Sequence, residues 1–198
     1  STYGVYSPGE VMKEEDMWKN PPSDADKYAG WAKRMGELQV EANQKQFEWQ
    51  DLFIVRPANV YGPKANFDPK NSMVVASIIK RVIEEENPLM VWGDGTATRD
   101  FIYSEDVARG MIFVMENNIN EPINLGSGDG VTIKQLVQTI TDNSDYSPTI
   151  KWDKSKPAGV SIKNVDLIGF ASVNEDQVQD AGNLVKVEVE KGDQNWSK

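Results

Sequence analysis

The sequence predicts an α/β protein with a mostly parallel sheet. Three observations lead there. Short apolar runs alternate with amphipathic stretches along the chain, the run Leu52-Phe53-Ile54-Val55 is apolar at every position, and cap-forming residues open several of the stretches between. A run that is apolar throughout suits a strand covered on both faces, and strands of that kind are joined by helices.

In order, Ser1–Pro8 reads as the end of a strand entering a turn, followed by a polar, acidic loop to Pro21-Pro22. Ser23 and Asp24 offer N-caps for a helix over roughly Asp26–Gln46. Tyr28, Trp31, Met35, Leu38 and Ala42 fall at three- and four-residue steps, a stripe expected to cover a sheet. Leu52–Val55 is the next strand, and Pro63–Lys70 a loop. A helix over about Ser72–Glu86 follows, then strands at Leu89–Trp92 and Asp100–Tyr103. Ser104 can cap a helix to about Glu116, and Pro122–Leu125 is strand-like. Thr132 and Gln135 have capping-box spacing, and Thr149–Trp152 is the last clear strand. Further on, Lys186–Glu190 alternates apolar and charged residues as an exposed strand or solvated tail would.

Composition narrows the chemistry. Hydrophobic residues at 39% and charged residues at 26% fit a folded globular chain of 198 residues. A formal net charge of −10 argues against nonspecific binding to nucleic acid or to anionic membranes, while leaving room for a local basic pocket. The chain has no cysteine, which excludes disulfides, thiolate metal sites and cysteine nucleophiles. It has no histidine either, so acid–base work falls to Tyr, Lys, Asp or Glu, and no metal site is expected. Apolar runs fall short of the roughly 20 residues that span a bilayer. No secretory signal is read at the start, and a cytoplasmic setting is the expectation. Asn195-Trp196-Ser197 matches a glycosylation triplet, read here as chance.

Two motifs carry the functional reading. Arg56-Pro57-Ala58-Asn59-Val60-Tyr61-Gly62-Pro63 sets polar groups at a strand end, and Trp92–Phe101 sets Arg99 just past a Gly-rich turn. A planar guanidinium matches two oxygens of a diphosphate at once. Gly126–Gly130 is also glycine-rich, but it lies late in the chain and reads as a structural turn. The glycine-rich dinucleotide fingerprint, expected in the first strand–turn–helix of such a sheet, has no match.

With Arg56–Pro63, Asn66-Phe67-Asp68-Pro69-Lys70-Asn71-Ser72 and Trp92–Asp106 in this order, the chain resembles the extended short-chain dehydrogenase/reductase family of nucleotide-sugar epimerases and dehydratases. The resemblance runs from Ser1 to about Phe170, and the segment beyond departs from it. It implies a partial Rossmann-like parallel sheet, the carboxyl-terminal half, plus a small α/β substrate-binding domain. Residues 1–62 would be the carboxyl-terminal part of the dinucleotide-binding domain, and 63–198 mainly the sugar-nucleotide region. The implied cofactor is NAD or NADP, the implied partner a nucleotide-diphosphate sugar, and a homodimer through the helix that carries Lys33 is expected. The chain begins roughly where the family's fifth strand would end, so a truncated chain lacking the cofactor loop is the expectation, with the central strands that the stripe of Tyr28, Trp31, Met35 and Leu38 would normally cover absent.

The resemblance also implies residue roles. Thr2, four residues before Tyr6, would hydrogen-bond the sugar oxygen being oxidised, against the alternative of a threonine with no role. Lys33 matches the lysine of the Tyr-x-x-x-Lys helix and would hold the cofactor ribose, with Pro57, Ala58 and Asn59 beside it. Ala29 stands where the tyrosine is expected. Tyr28 is five residues before Lys33, roughly 140° around the helix rather than roughly 40°. Either Tyr28 reaches the site through an irregular first turn, or the catalytic phenol is missing and Tyr28 packs. Asn59 and Arg99 would anchor the diphosphate, Arg99 otherwise forming a salt bridge to Asp100 or Asp106. Trp92 would lie by the nucleotide or in the core, and Lys163 would add charge. The Asn66–Ser72 loop looks most like the GDP-fucose synthase branch, whose proton-moving histidine and cysteine are replaced here by Met73 and Gly4. The 3,5-epimerase activity is therefore not expected. Two readings result: an NAD(P)-dependent nucleotide-sugar epimerase or dehydratase, or an inactive sugar-nucleotide-binding or dimerisation module.

Overall fold

The computed structural model describes residues 1–7 and 11–156 together with the short stretch 164–165. Lys163 and the segment after Phe170 lie outside the described residues. In chain order the elements are β1 (Val11–Met12), α1 (Lys27–Phe47), β2 (Val55–Pro57), β3 (Asn59–Tyr61), α2 (Val74–Ile83), β4 (Leu89–Trp92), β5 (Thr98–Tyr103), α3 (Ser104–Glu116), β6 (Ile123–Leu125), β7 (Gly130–Thr132), α4 (Ile133–Asp142), β8 (Ile150–Asp153) and β9 (Asn164–Val165). Strand pairing is parallel for β1–β9, β2–β6, β3–β5 and β4–β8, and antiparallel for β5–β7. The mostly parallel α/β expectation therefore describes the chain. Each parallel partner is reached through an intervening helix, as parallel pairing demands.

Two apolar clusters hold these elements. One gathers Tyr3, Val5, Tyr6 and Met17 with Ile102, Val107, Val114, Ile123 and Leu125. The other packs Ile78 and Val82 of α2 and Val137 of α4 against Leu89 and Val91 of β4. The predicted capping box is present: the Thr132 side chain accepts from the Gln135 amide, and Gln135 answers to the Thr132 amide. Ser104 is the first residue of α3 rather than its cap, with Tyr103 in the cap position.

The amino-terminal segment differs from its expectation. Tyr3–Val5 is a 3-10 turn, not the end of a strand. Tyr3, Val5 and Tyr6 are all buried, so no alternation of inside and outside is kept, and the Val5 carbonyl is taken by Arg34 (2.8 and 2.6 Å). A second 3-10 turn, Glu14–Trp18, occupies part of the stretch read as a loop.

Helix α1 leaves its apolar stripe uncovered. Its apolar stripe faces outward: Tyr28 is 86% exposed, Trp31 47%, Met35 57% and Leu38 43%. The buried side is Gly30, Arg34 and Glu37. Gly30 is there because a Cβ would overlap the Gly4 carbonyl oxygen and Pro22, so only glycine lets the helix lie this close to the segment beneath it. Arg34 then reaches the carbonyls of Val5 and Asn20, and Glu37 meets Arg56 in a bidentate pair at 3.1 and 2.8 Å. Buried charge is tolerated only when fully paired, and the charges on the inner face of this helix are paired in that way.

The second strand is also shifted from its expected place at Leu52–Val55. The ladder covers Val55–Pro57, while Leu52, Phe53 and Ile54 are half-buried outside it. Arg56 sits at the centre of a network. It donates to Glu37, to the Tyr6 hydroxyl (2.7 Å) and to the Glu14 carbonyl (2.9 Å). Tyr6 in turn donates to Asn124 of β6 at 2.6 Å. Burial pushes the Tyr6 phenol up to about 12, against the opposing pull of Arg56, so it stays a protonated donor.

Candidate active site

The site is built on β5 and the turn that precedes it. Asp94 accepts from the Thr96 amide (3.0 Å) and hydroxyl (2.6 Å), which closes the turn. Gly95 has φ +81°, and a Cβ there would run into the Trp152 ring, so the position requires glycine. Asp100, 1% exposed, fixes the other end. Its carboxylate accepts from the amide and hydroxyl of Ser127 (2.8 and 2.9 Å) and from the Gly128 amide (3.0 Å). Burial raises its pKa despite those bonds. The Gly126–Gly130 stretch is thus held as a structural turn. Against Gly126 lies the Tyr3 hydroxyl, a buried group with no hydrogen-bond partner among the described residues.

Arg99 is half-buried between these anchors and donates to the Thr98 carbonyl at 2.8 Å. Among the described residues it forms no ion pair with Asp100, whose carboxylate is committed to Ser127 and Gly128, or with Asp106. Burial pulls its guanidinium pKa down, and the Asp26 carboxylate opposes that pull. Asn59 of β3 stands opposite Phe101 of β5, and its amide donates to the Asp100 carbonyl at 2.8 Å. Register partners share a sheet face and side chains two apart along a strand share one too, so Asn59, Phe101 and Arg99 lie on one face.

Thr2 is half-exposed at the head of the 3-10 turn, and its side chain caps nothing. Lys33 is exposed on α1, near enough to the Ser1 ammonium to lower its pKa after burial has done so. Gly4, two residues beyond Thr2, has the Asp26 carboxylate against it. Asp26 thus lies within contact of Gly4 and acts electrostatically on Arg99, and Lys33 acts on the Ser1 ammonium. Tyr28 points to solvent and is not drawn toward them. Pro57 is half-buried and Ala58 is buried, its amide bonded to the Leu125 carbonyl at 2.7 Å. Trp92 stands apart on the β4–β8 pair at 63% exposure, with the Lys156 ammonium 5.9 Å from its ring centre. It is not a core residue. Asp26 and Asp100 were not singled out as site residues from the sequence. Asp26 had one signal, a carboxylate one helical turn before Ala29 and on the face of Lys33.

A family model described as the NAD dependent epimerase/dehydratase family matches residues 1–126. The chain belongs to that family. It is 31% identical over 169 residues to the probable GDP-L-fucose synthase 1 of Oryza sativa subsp. japonica, covering 83% of this chain and 51% of the relative. Against the GDP-L-fucose synthase of Escherichia coli (strain K12) it is 32% identical over 170 residues, covering 79% and 53%. The chain spans about half the length of the curated relatives it matches. Among solved structures, a GDP-L-fucose synthetase from Naegleria fowleri bound to NADP aligns with TM-score 0.74 and 27% identity, covering 90% of this chain and 60% of that one. The family is one of nucleotide-sugar epimerases, dehydratases and reductases, and its cofactor is NAD or NADP.

The residues present fit one end of such a cofactor. Lys33 carries an exposed ammonium with no carboxylate partner among the described residues, the donor that ribose hydroxyls accept. The given sequence has no match to the glycine-rich dinucleotide fingerprint that would receive the pyrophosphate. When bound, the nicotinamide supplies hydride chemistry. Among the described residues no group of acidic side chains is arranged to hold a metal ion, and no helix is long and apolar enough to cross a membrane.

Proposed function

We propose that this chain carries the substrate-binding side of an NAD(P)-dependent nucleotide-sugar epimerase, dehydratase or reductase. The observation that supports it best is Arg99: a half-buried guanidinium with no carboxylate ion pair among the described residues, facing the side of the sheet that carries Asn59. An arginine held this way is a ready receptor for a diphosphate. In this reading Arg99 and Asn59 hold the diphosphate and Thr2 orients the sugar hydroxyl. Lys33 holds the ribose of the cofactor beside Pro57, Ala58 and Asn59. Trp92 offers an exposed ring for a base, and Lys163 adds positive charge. Residues 1–62 belong to the cofactor side and 63–198 to the sugar-nucleotide side.

Ala29 stands at the family's tyrosine position and Tyr28 is turned outward, so neither supplies the phenol expected beside Lys33. Melting curves of the purified chain with GDP-sugars, UDP-sugars and their free nucleotides test the reading. A rise of several degrees with a nucleotide-sugar is expected, and no rise with any of them would sink it.

A second reading is favoured by α1. Its outward stripe of Trp31, Met35 and Leu38 is apolar surface in want of a partner, and a second copy of the chain would cover it in a homodimer. Light scattering on the native chain and on Met35→Glu checks this. The native mass should be that of a dimer, and the charged variant should run as a monomer with its melting temperature little changed. A native monomer would remove the proposal.

A further inference from the structure

One buried side-chain oxygen stands without a partner. Tyr3 is 7% exposed, and its hydroxyl Oη has no hydrogen-bond partner among the described residues. The ring is held in place: it packs edge-on against Tyr6, ring centres 6.3 Å apart, inside the first apolar cluster. Oη lies past the carboxyl end of β6, 3.0 Å from where a Cβ on Gly126 would be. Asp100 Oδ2 stands 2.7 Å from the same point, so a buried donor and a buried carboxylate face one spot that glycine leaves clear. Of the two carboxylate oxygens, Oδ1 accepts from the amide and hydroxyl of Ser127, and Oδ2 from the Gly128 amide. Oδ2 therefore has room for one more donor. Burial, and after it the Asp100 charge, push the Tyr3 pKa up, so the phenol keeps the proton it would donate. A buried donor left unpaired destabilises the chain that carries it, and its presence calls for a use.

We propose that Tyr3 is a positioning residue: its hydroxyl bonds to Asp100 Oδ2 when a nucleotide-sugar held at Thr2 and Arg99 draws the two segments together. This rests on the functional reading above, which puts the sugar hydroxyl at Thr2 and the diphosphate at Arg99. Tyr3 follows Thr2 and Asp100 follows Arg99, so each member of the new bond is one residue from a group that holds the ligand. Along β5 Asp100 is buried while Arg99 and Phe101 are half-buried, so Asp100 lies on the face opposite Arg99. The bond forms behind the ligand, and neither Tyr3 nor Asp100 touches it. Asp100 already ties β5 to Ser127 and Gly128 through its carboxylate and to Asn59 through its carbonyl. A bond to Tyr3 joins the Thr2 segment to that frame. A ligand that reaches both Thr2 and Arg99 gains it, whereas a free nucleoside diphosphate, which reaches only Arg99, does not. Only that difference lets a ligand shift the arrangement.

Tyr3→Phe removes the hydroxyl and keeps the ring, and its effects on the free and the liganded chain have opposite signs. Without ligand the melting temperature should rise by about 2–4 °C, because an unpaired buried donor is gone. Tyr6→Phe, the same deletion at a hydroxyl that donates to Asn124 and accepts from Arg56, should lower it. Calorimetry on the full chain with GDP-mannose, GDP, UDP-glucose and UDP gives the other half. Tyr3→Phe should weaken the nucleotide-sugar that the native chain binds about tenfold, the worth of a hydrogen bond to a charged acceptor. The free nucleotide of that pair should bind as before. A melting temperature that does not rise means the hydroxyl is already satisfied in the free chain, and overturns the proposal. So does a nucleotide-sugar affinity that is unchanged, or one that falls together with that of the free nucleotide. Each of these leaves the functional reading standing. Failure of the native chain to bind either nucleotide-sugar overturns both.

Discussion

Glu37→Ala should unfold this chain more readily than any other single change considered. The substitution leaves Arg56, 2% exposed, with its charge buried and two of its donors unpaired. Breaking one side of a buried ion pair costs about 3–5 kcal/mol, far more than the pair contributes over an apolar substitute. The loss should spread, because Arg56 also anchors the Tyr6 hydroxyl and the Glu14 carbonyl, and through Tyr6 the Asn124 side chain of β6. Denaturant unfolding is the measurement. Glu37→Gln should cost less, since an amide oxygen still accepts from the guanidinium, and the double change Glu37→Met with Arg56→Met should recover much of the loss. A cost below about 1 kcal/mol for Glu37→Ala, the range of exposed pairs, would mean that water reaches Arg56.

Arg99→Ala should abolish most nucleotide-sugar affinity while leaving the fold intact. The side chain donates to one neighbouring carbonyl and forms no ion pair among the described residues, so removing it disturbs little. Hydrogen bonds from a charged donor contribute about 1.5–3 kcal/mol, which predicts a loss of roughly ten- to hundredfold in affinity. Arg99→Lys should restore only part of it, because an ammonium cannot meet two diphosphate oxygens with a planar fork. Raising the salt concentration should weaken the native chain more than Arg99→Ala, since only the former neutralises the diphosphate at this position. Equal affinity in the native chain and Arg99→Ala would place the diphosphate elsewhere.

Much of the fold was legible in the sequence. Leu89–Trp92, the strand ending at Tyr103, the capping box at Thr132 and the helix after Ser104 were found by periodicity and caps, because local backbone preference and burial agree there. The motif around Arg99 pointed to a charged group past a glycine turn, and the fold places it so. Legibility failed where polar groups outweighed the apolar pattern. In α1 the stripe from Tyr28 to Leu38 marked the apolar face, and the side that the helix buries is Gly30, Arg34 and Glu37. Periodicity counts hydrophobic surface, and it cannot register a glycine that permits close approach or an ion pair whose partner lies 19 residues away.

The linear sequence by itself determined the α/β class, the family through its ordered motifs, and the exclusion of histidine and cysteine chemistry. Each of these depends on residue identity or on neighbours a few positions apart. Only the tertiary structure decided which side of α1 is buried and that Trp92 is exposed. Those outcomes rest on buried charges and backbone contacts between distant segments, whose energies exist only once the chain has brought them together.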